Sequence, residues 1–172
     1  PNFHRIPGYK VYMTGQPTLD GIKNVLNKVT GEGKIYPKDG PIIWLNLRQE
    51  PDVYVNGQPI CARPPNKIGE YAELGNVTRD LIKVDEAEFV KVIEGKVKGN
   101  DGKLKYVDVN KKELEVEAKD VVSLHDVIEK VKEKFPGFTH NRIPVCNSAA
   151  PLEADFDTLC SALEGTLITT PV

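Results

Sequence analysis

Few residues here can do chemistry, and their spacing narrows what that chemistry can be. The histidines His4, His125 and His140 are scattered and show no metal-ligand spacing, so no metal site is expected. His125 beside Asp126 reads as a surface residue of a helix. The cysteines Cys61, Cys146 and Cys160 form no Cys-x-x-Cys pair, and their odd number argues against a disulfide framework. Cys61, beside a hairpin, and Cys160, on the apolar face of a helix, read as packed side chains. His140 and Cys146 lie six positions apart and would form a Cys–His nucleophile pair only if the fold brought them together. Arg48 stands apart from these. It leaves an apolar run beside Gln49 and Glu50, where a guanidinium can offer its planar fork to a phosphate or carboxylate. An Arg48–Glu50 ion pair bracing the loop fits the same residues equally well.

These residues need elements to hold them. "GPIIWLNLR" packs Ile42, Ile43, Trp44 and Leu45 into a continuous apolar stretch, the pattern of a strand buried on both faces. Its C-terminal end would deliver Asn46, Arg48 and Glu50 to the sheet edge where open α/β folds bind ligands. Ahead of it, Thr18 can cap a helix whose Leu19, Ile22, Val25, Leu26 and Val29 form one stripe before Gly31. Behind it, Asn56-Gly57 between apolar stretches predicts a hairpin. From about 84 to 119 the pattern turns to alternation, as in "VKVIEGKVKG" and "KLKYVDV", which predicts a small β-rich insertion with a solvated face. Ser123 then caps a helix carrying Leu124, Val127, Ile128, Val131 and Phe135, a strand follows around "NRIPV", and Leu152, Phe156, Leu159 and Leu163 mark a last helix. The closing "TLITTPV" is rich in β-branched residues and reads as a strand.

Three blocks, "GQPTLDGIKNVL", "WLNLRQEPDVYVNGQPI" and "RIPVCNSAAPLEADFDTL", occur in this order and together resemble the paladin-type phosphatase domain, related to the protein-tyrosine-phosphatase-like (PTP-like) phytases. The resemblance runs from about residue 5 to 172 and is weakest in the alternating middle. It implies an α/β fold with a central mixed sheet flanked by helices, taking in residues 1–172, with 84–119 as an insertion. It also implies a cysteine-dependent phosphatase, in which a Cys-x5-Arg loop supplies the thiolate and a phosphate-clamping arginine. Backbone N–H groups at a helix N-terminus would hold the dianion there and lower the thiol pKa. No Cys-x5-Arg occurs in the 172 residues. By the resemblance, "TLITTPV" is the strand leading to that loop, the fold is incomplete at its C-terminus, and both ends read as cuts. A sheet left open in this way is expected to self-associate or to take a complementing segment.

A second departure from the family lies in "RIPVCN", which puts Asn147 where the pattern has the aspartic acid that protonates the leaving group. An amide has no titrating proton to give. Asp155 and Asp157, downstream, read as residues favouring the first turns of a helix. The expectation is therefore part of a phosphatase domain acting on phosphotyrosine, phosphoserine or inositol phosphates in an intact parent, inactive as given. The alternative is a pseudophosphatase or phospho-ligand-binding module. No cofactor is implied.

Composition agrees with a globular chain, at 40% hydrophobic and 28% charged residues. With 23 basic and 25 acidic residues, the net charge of -2 gives no bulk attraction for nucleic acid, so any anion site must be local. Nothing in the sequence reads as spanning or coating a membrane, and the cysteine usage fits a reducing, cytoplasmic setting.

Overall fold

The computed structural model describes residues 2–31, 42–63, 79–108, 110–145 and 150–164. Its elements run β1 His4–Arg5, β2 Tyr12–Met13, α1 Leu19–Thr30, β3 Ile42–Arg48, β4 Asp52–Val55, β5 Gln58–Cys61, α2 Arg79–Lys98, β6 Lys103–Val107, β7 Glu113–Glu117, β8 Val121–Ser123, α3 Leu124–Lys132, β9 Phe138–Val145 and α4 Glu153–Leu163. The mixed α/β class is as the sequence indicates. Residues 166–172, expected as a strand, lie outside the described residues.

Local signals account for several boundaries. The Thr18 hydroxyl accepts the Gly21 N–H at 2.9 Å and starts α1. Ser123 and Asp126 close a reciprocal capping box at the head of α3. Asn56 and Gly57 both take positive φ, 51° and 77°, so the β4–β5 connection has the handedness that matches strand twist.

Two strands organise the interior. β4 is buried at all four positions. Its Tyr54 enters a core with Ile22, Leu26, Leu124, Val127, Ile128, Val131 and Phe138. Val53 and Val55 point the other way, into a second core with Ile93 and Leu104. Successive residues of a strand face opposite sides, so one short strand serves both cores. The sequence assigns that doubly buried role to β3, but Ile42, Ile43, Trp44 and Leu45 are half-buried, with β9 as the parallel neighbour among the described residues.

The alternating middle needs correction. Residues 84–98 are not strand but the body of the 20-residue helix α2, and β structure is confined to the β6–β7 hairpin that follows. Val90, Ile93 and Val97, which suggested alternation, also lie at helical spacing. They continue the line of Ile82, Glu86 and Phe89, and that face packs on the second core. Val92, which belongs to the alternation alone, is exposed.

Candidate functional site

β3 and β9 run parallel from Ile42 opposite Phe138 to Asn46 opposite Arg142, and the register then shifts so that Arg48 faces Val145. Two residues of β9, Ile143 and Pro144, thus oppose the single Leu47. Proline has no N–H to give a ladder, so a bulge forms there, and bulges re-aim the side chains beside them. On β3 the carboxamide of Asn46 accepts the Arg48 N–H at 2.9 Å and turns the chain out of the strand.

The turn that follows gathers charge. Arg48 lies 3.3 Å from Asp52 through Nε and 3.6 Å from Glu50 through a terminal nitrogen. Arg142, arriving from β9, donates to the Glu86 carboxylate, to the Glu50 carbonyl, and to the Arg48 carbonyl at 3.1 Å. Glu86, from α2, also accepts the Asp52 N–H at 3.1 Å. Both readings of Arg48 thus bear on the structure. The bracing ion pair is formed, yet the side chain is still 24% exposed, whereas that of Arg142 is only 6% exposed and is enclosed. Of the two, Arg48 can meet a ligand.

Two guanidinium groups face three carboxyl groups here, so charge balances when one carboxyl holds a proton. Burial pushes Asp52 up to about 6 despite Arg48 and Arg142 beside it. Glu86 is raised by burial as well, an effect opposed by Arg142 and the Asp52 N–H. Beneath the cluster the Tyr54 hydroxyl donates to the Pro17 carbonyl at 3.0 Å and accepts from Gln16 at 2.7 Å, tying the "GQPT" segment to β4.

The other candidates fare differently. Asn147 and Cys146 lie outside the described residues, so neither the acid position nor the Cys–His pair is placed; His140 is half-buried in β9 opposite Trp44. Cys160, expected in the core, is exposed, because α4 turns Asp155, Leu159, Ala162 and Leu163 inward and leaves Leu152, Phe156 and Cys160 on its outer stripe. Asp155 caps α4, accepting the Leu152 N–H at 2.8 Å. Cys61 is half-buried and His125 exposed. Sequence reading passed over Asp52, Glu86 and Arg142. One signal was available for Glu86, a charged residue in line with the apolar face of a helix.

A parallel strand pair in a mixed α/β fold thus delivers Arg48 to its C-terminal edge. The family model of the PTP-like phytases, described by the words "Inositol hexakisphosphate", matches residues 45–172, and the chain belongs to that family. Paladin from Gallus gallus is 28% identical over 172 residues, covering 96% of this chain and 18% of that protein. Paladin from Homo sapiens is 26% identical over 170 residues, with 99% and 17% covered. The chain therefore spans under a fifth of the length of these relatives. Among solved structures, the PTP-like myo-inositol phosphatase from Mitsuokella multacida, in complex with myo-inositol-(1,3,4,5)-tetrakisphosphate, is similar with TM-score 0.64 at 19% identity, covering 91% of this chain and 24% of that one. A PTP-like phytase from Bdellovibrio bacteriovorus gives TM-score 0.61 at 13% identity, with 96% and 52% covered. Among the described residues no helix is long and apolar enough to cross a membrane.

Proposed function

We propose that these 172 residues form the phosphate-facing part of a cysteine-dependent phosphatase domain whose nucleophile loop is not among them. The observation that carries this reading is Arg48: a partly exposed guanidinium, pre-oriented by Glu50 and Asp52 at the end of a strand parallel to β9. Such a fork is suited to a phosphate dianion. The ligand would be a phosphate-bearing molecule, and the family description together with the complex of the Mitsuokella protein supports inositol phosphates as the first to try. Asn147, at the position of the family's acid, supports the second reading, a module that binds phosphorylated ligands without turning them over.

The chain alone is expected to show no turnover of p-nitrophenyl phosphate, since none of its cysteines is followed six positions later by an arginine. Turnover that Cys146→Ser abolishes would make Cys146 a nucleophile and overturn this reading. Calorimetric titration with inositol hexakisphosphate addresses binding. Losing one charge-assisted contact through Arg48→Ala should weaken it about tenfold or more. Equal affinity in both proteins would remove Arg48 from the site.

A further inference from the structure

Arg142 does more than neutralise Glu86. Two of its three nitrogens donate to main-chain carbonyls, those of Arg48 and Glu50, so the guanidinium spans the turn that carries the phosphate-facing arginine. Its third nitrogen donates to Glu86, and the same Glu86 oxygen accepts the N–H of Asp52. The turn is thereby held at positions 48, 50 and 52, by a side chain from β9 and another from α2. The carboxyls of Glu50 and Asp52, whose backbones are fixed in this way, are the groups that orient the Arg48 fork.

We infer that Arg142, locked by Glu86, is a positioning residue: it sets where the Arg48 guanidinium sits, and hence where a phosphate oxyanion is held, without touching the ligand. Its enclosure rules out direct contact, with the side chain only 6% exposed. The planar fork matters as much as the charge, because three acceptors, two on the turn and one on α2, lie around one rigid group, a geometry a lysine ammonium cannot reproduce. The inference also gives α2 a role at the site, although that helix lies in the stretch read from sequence as an insertion. The ligand part rests on the function proposed above, whereas the positioning of Arg48 does not.

The test uses the full 172-residue chain with 15N-labelled arginine, following the Arg48 Nε–H signal, assigned by its loss in Arg48→Lys. In Arg142→Lys and in Glu86→Gln this signal is expected to shift and to exchange with water about tenfold faster, as a charge-assisted contact worth that factor is loosened. Far-UV circular dichroism and the methyl signals of Ile22 and Leu26 should stay unchanged. Affinity for inositol hexakisphosphate should fall about tenfold in both variants. Should Arg142→Lys fail to fold, Glu86→Gln decides alone. An unmoved Arg48 signal in a folded variant overturns the inference, whatever the ligand does, and loss of fold in both variants overturns it by making the pair a stability element. Wild type that does not bind inositol hexakisphosphate, with an Arg48 signal that responds to Glu86→Gln, upholds the positioning role and sinks the proposed ligand instead.

Discussion

Asp52 and Asp108 carry the same carboxyl group in opposite surroundings, one in a cluster of five charged groups of which four are buried and the other on the exposed turn of the β6–β7 hairpin. Asp52 has two guanidinium groups nearby and still has its pKa raised, because burial outweighs both. Asp108 has no arginine beside it and is lowered, chiefly by the Lys112 N–H it accepts at 2.8 Å. Proximity of opposite charge is thus a poor guide to which form a carboxyl prefers. Retained hydration decides more, and backbone N–H donors at the solvent boundary hold a charge that two neighbouring guanidinium groups do not. The same contrast applies to the ion pairs. Lys103 and Lys105 reach Glu115 at 3.4 and 3.7 Å on the hairpin surface, where such pairs contribute little. Arg142 and Glu86 meet in the interior, where each is costly to leave alone.

The largest test of that difference is Glu86→Ala. It leaves Arg142 buried without its carboxylate and the Asp52 N–H without its acceptor, a change expected to cost about 3–5 kcal/mol in urea unfolding. Lys103→Ala, measured alongside, should leave the midpoint where it was. Comparable losses from the two substitutions would erase the distinction between buried and exposed charge in this fold.

Asp52→Asn sharpens the comparison by sign. The folded pKa of Asp52 is about 6 against an ordinary 3.8, so between about pH 4 and 6 the folded chain binds this proton more tightly than the unfolded one. Stability falls as pH rises through that window. Asparagine resembles the protonated form, so the variant should match wild type near pH 4 and exceed it by about 3 kcal/mol above pH 6. Arg48, Arg142, Glu86 and Glu50 all face this carboxyl, and Glu86, which is also raised, contributes a slope of the same sign that persists in the variant. A variant less stable than wild type at pH 7.5 would show that the Arg48–Asp52 attraction outweighs burial, reversing the order inferred here.

What the sequence discloses follows the same division between local and distant causes. Thr18, Asn56-Gly57 and the Ser123–Asp126 box act within a few residues of themselves and were legible, as was the delivery of Arg48 by an apolar strand. Residues 84–98 were misread because Ile93 and Val97, four positions apart, satisfy a two-residue and a 3.6-residue period alike over a short window; extending it back to Ile82 would have resolved the period. The buried cluster stayed hidden for another reason. Arg142 and Glu86 are 56 positions apart, and Arg142 and Glu50 are 92 apart, so each charge reads as solvated until the fold brings its partner. The family blocks contain Arg48, Glu50, Asp52 and Arg142 without indicating that they meet.

The smallest expected effect belongs to Asp108→Asn. A single side-chain oxygen of Asp108 accepts the N–H groups of both Asn110 and Lys112 at 2.8 Å, and the carboxamide oxygen of asparagine can accept from the same two donors. What the substitution removes is charge assistance, in a side chain surrounded by water. Because the pKa of Asp108 is lowered, its contribution is present above the ordinary aspartate value and is lost as pH falls through the folded value. Amide exchange at pH 6 should therefore show faster opening at Lys112 in the variant, and the difference should shrink toward pH 3. The urea midpoint of the whole chain should not move, since Leu104 and Val116 anchor the hairpin to the second core independently of its turn. A shift of that midpoint approaching the one caused by Glu86→Ala would mean that the turn, not the apolar contact beneath it, holds the hairpin in place, and that its exposed charge matters as much as the buried cluster.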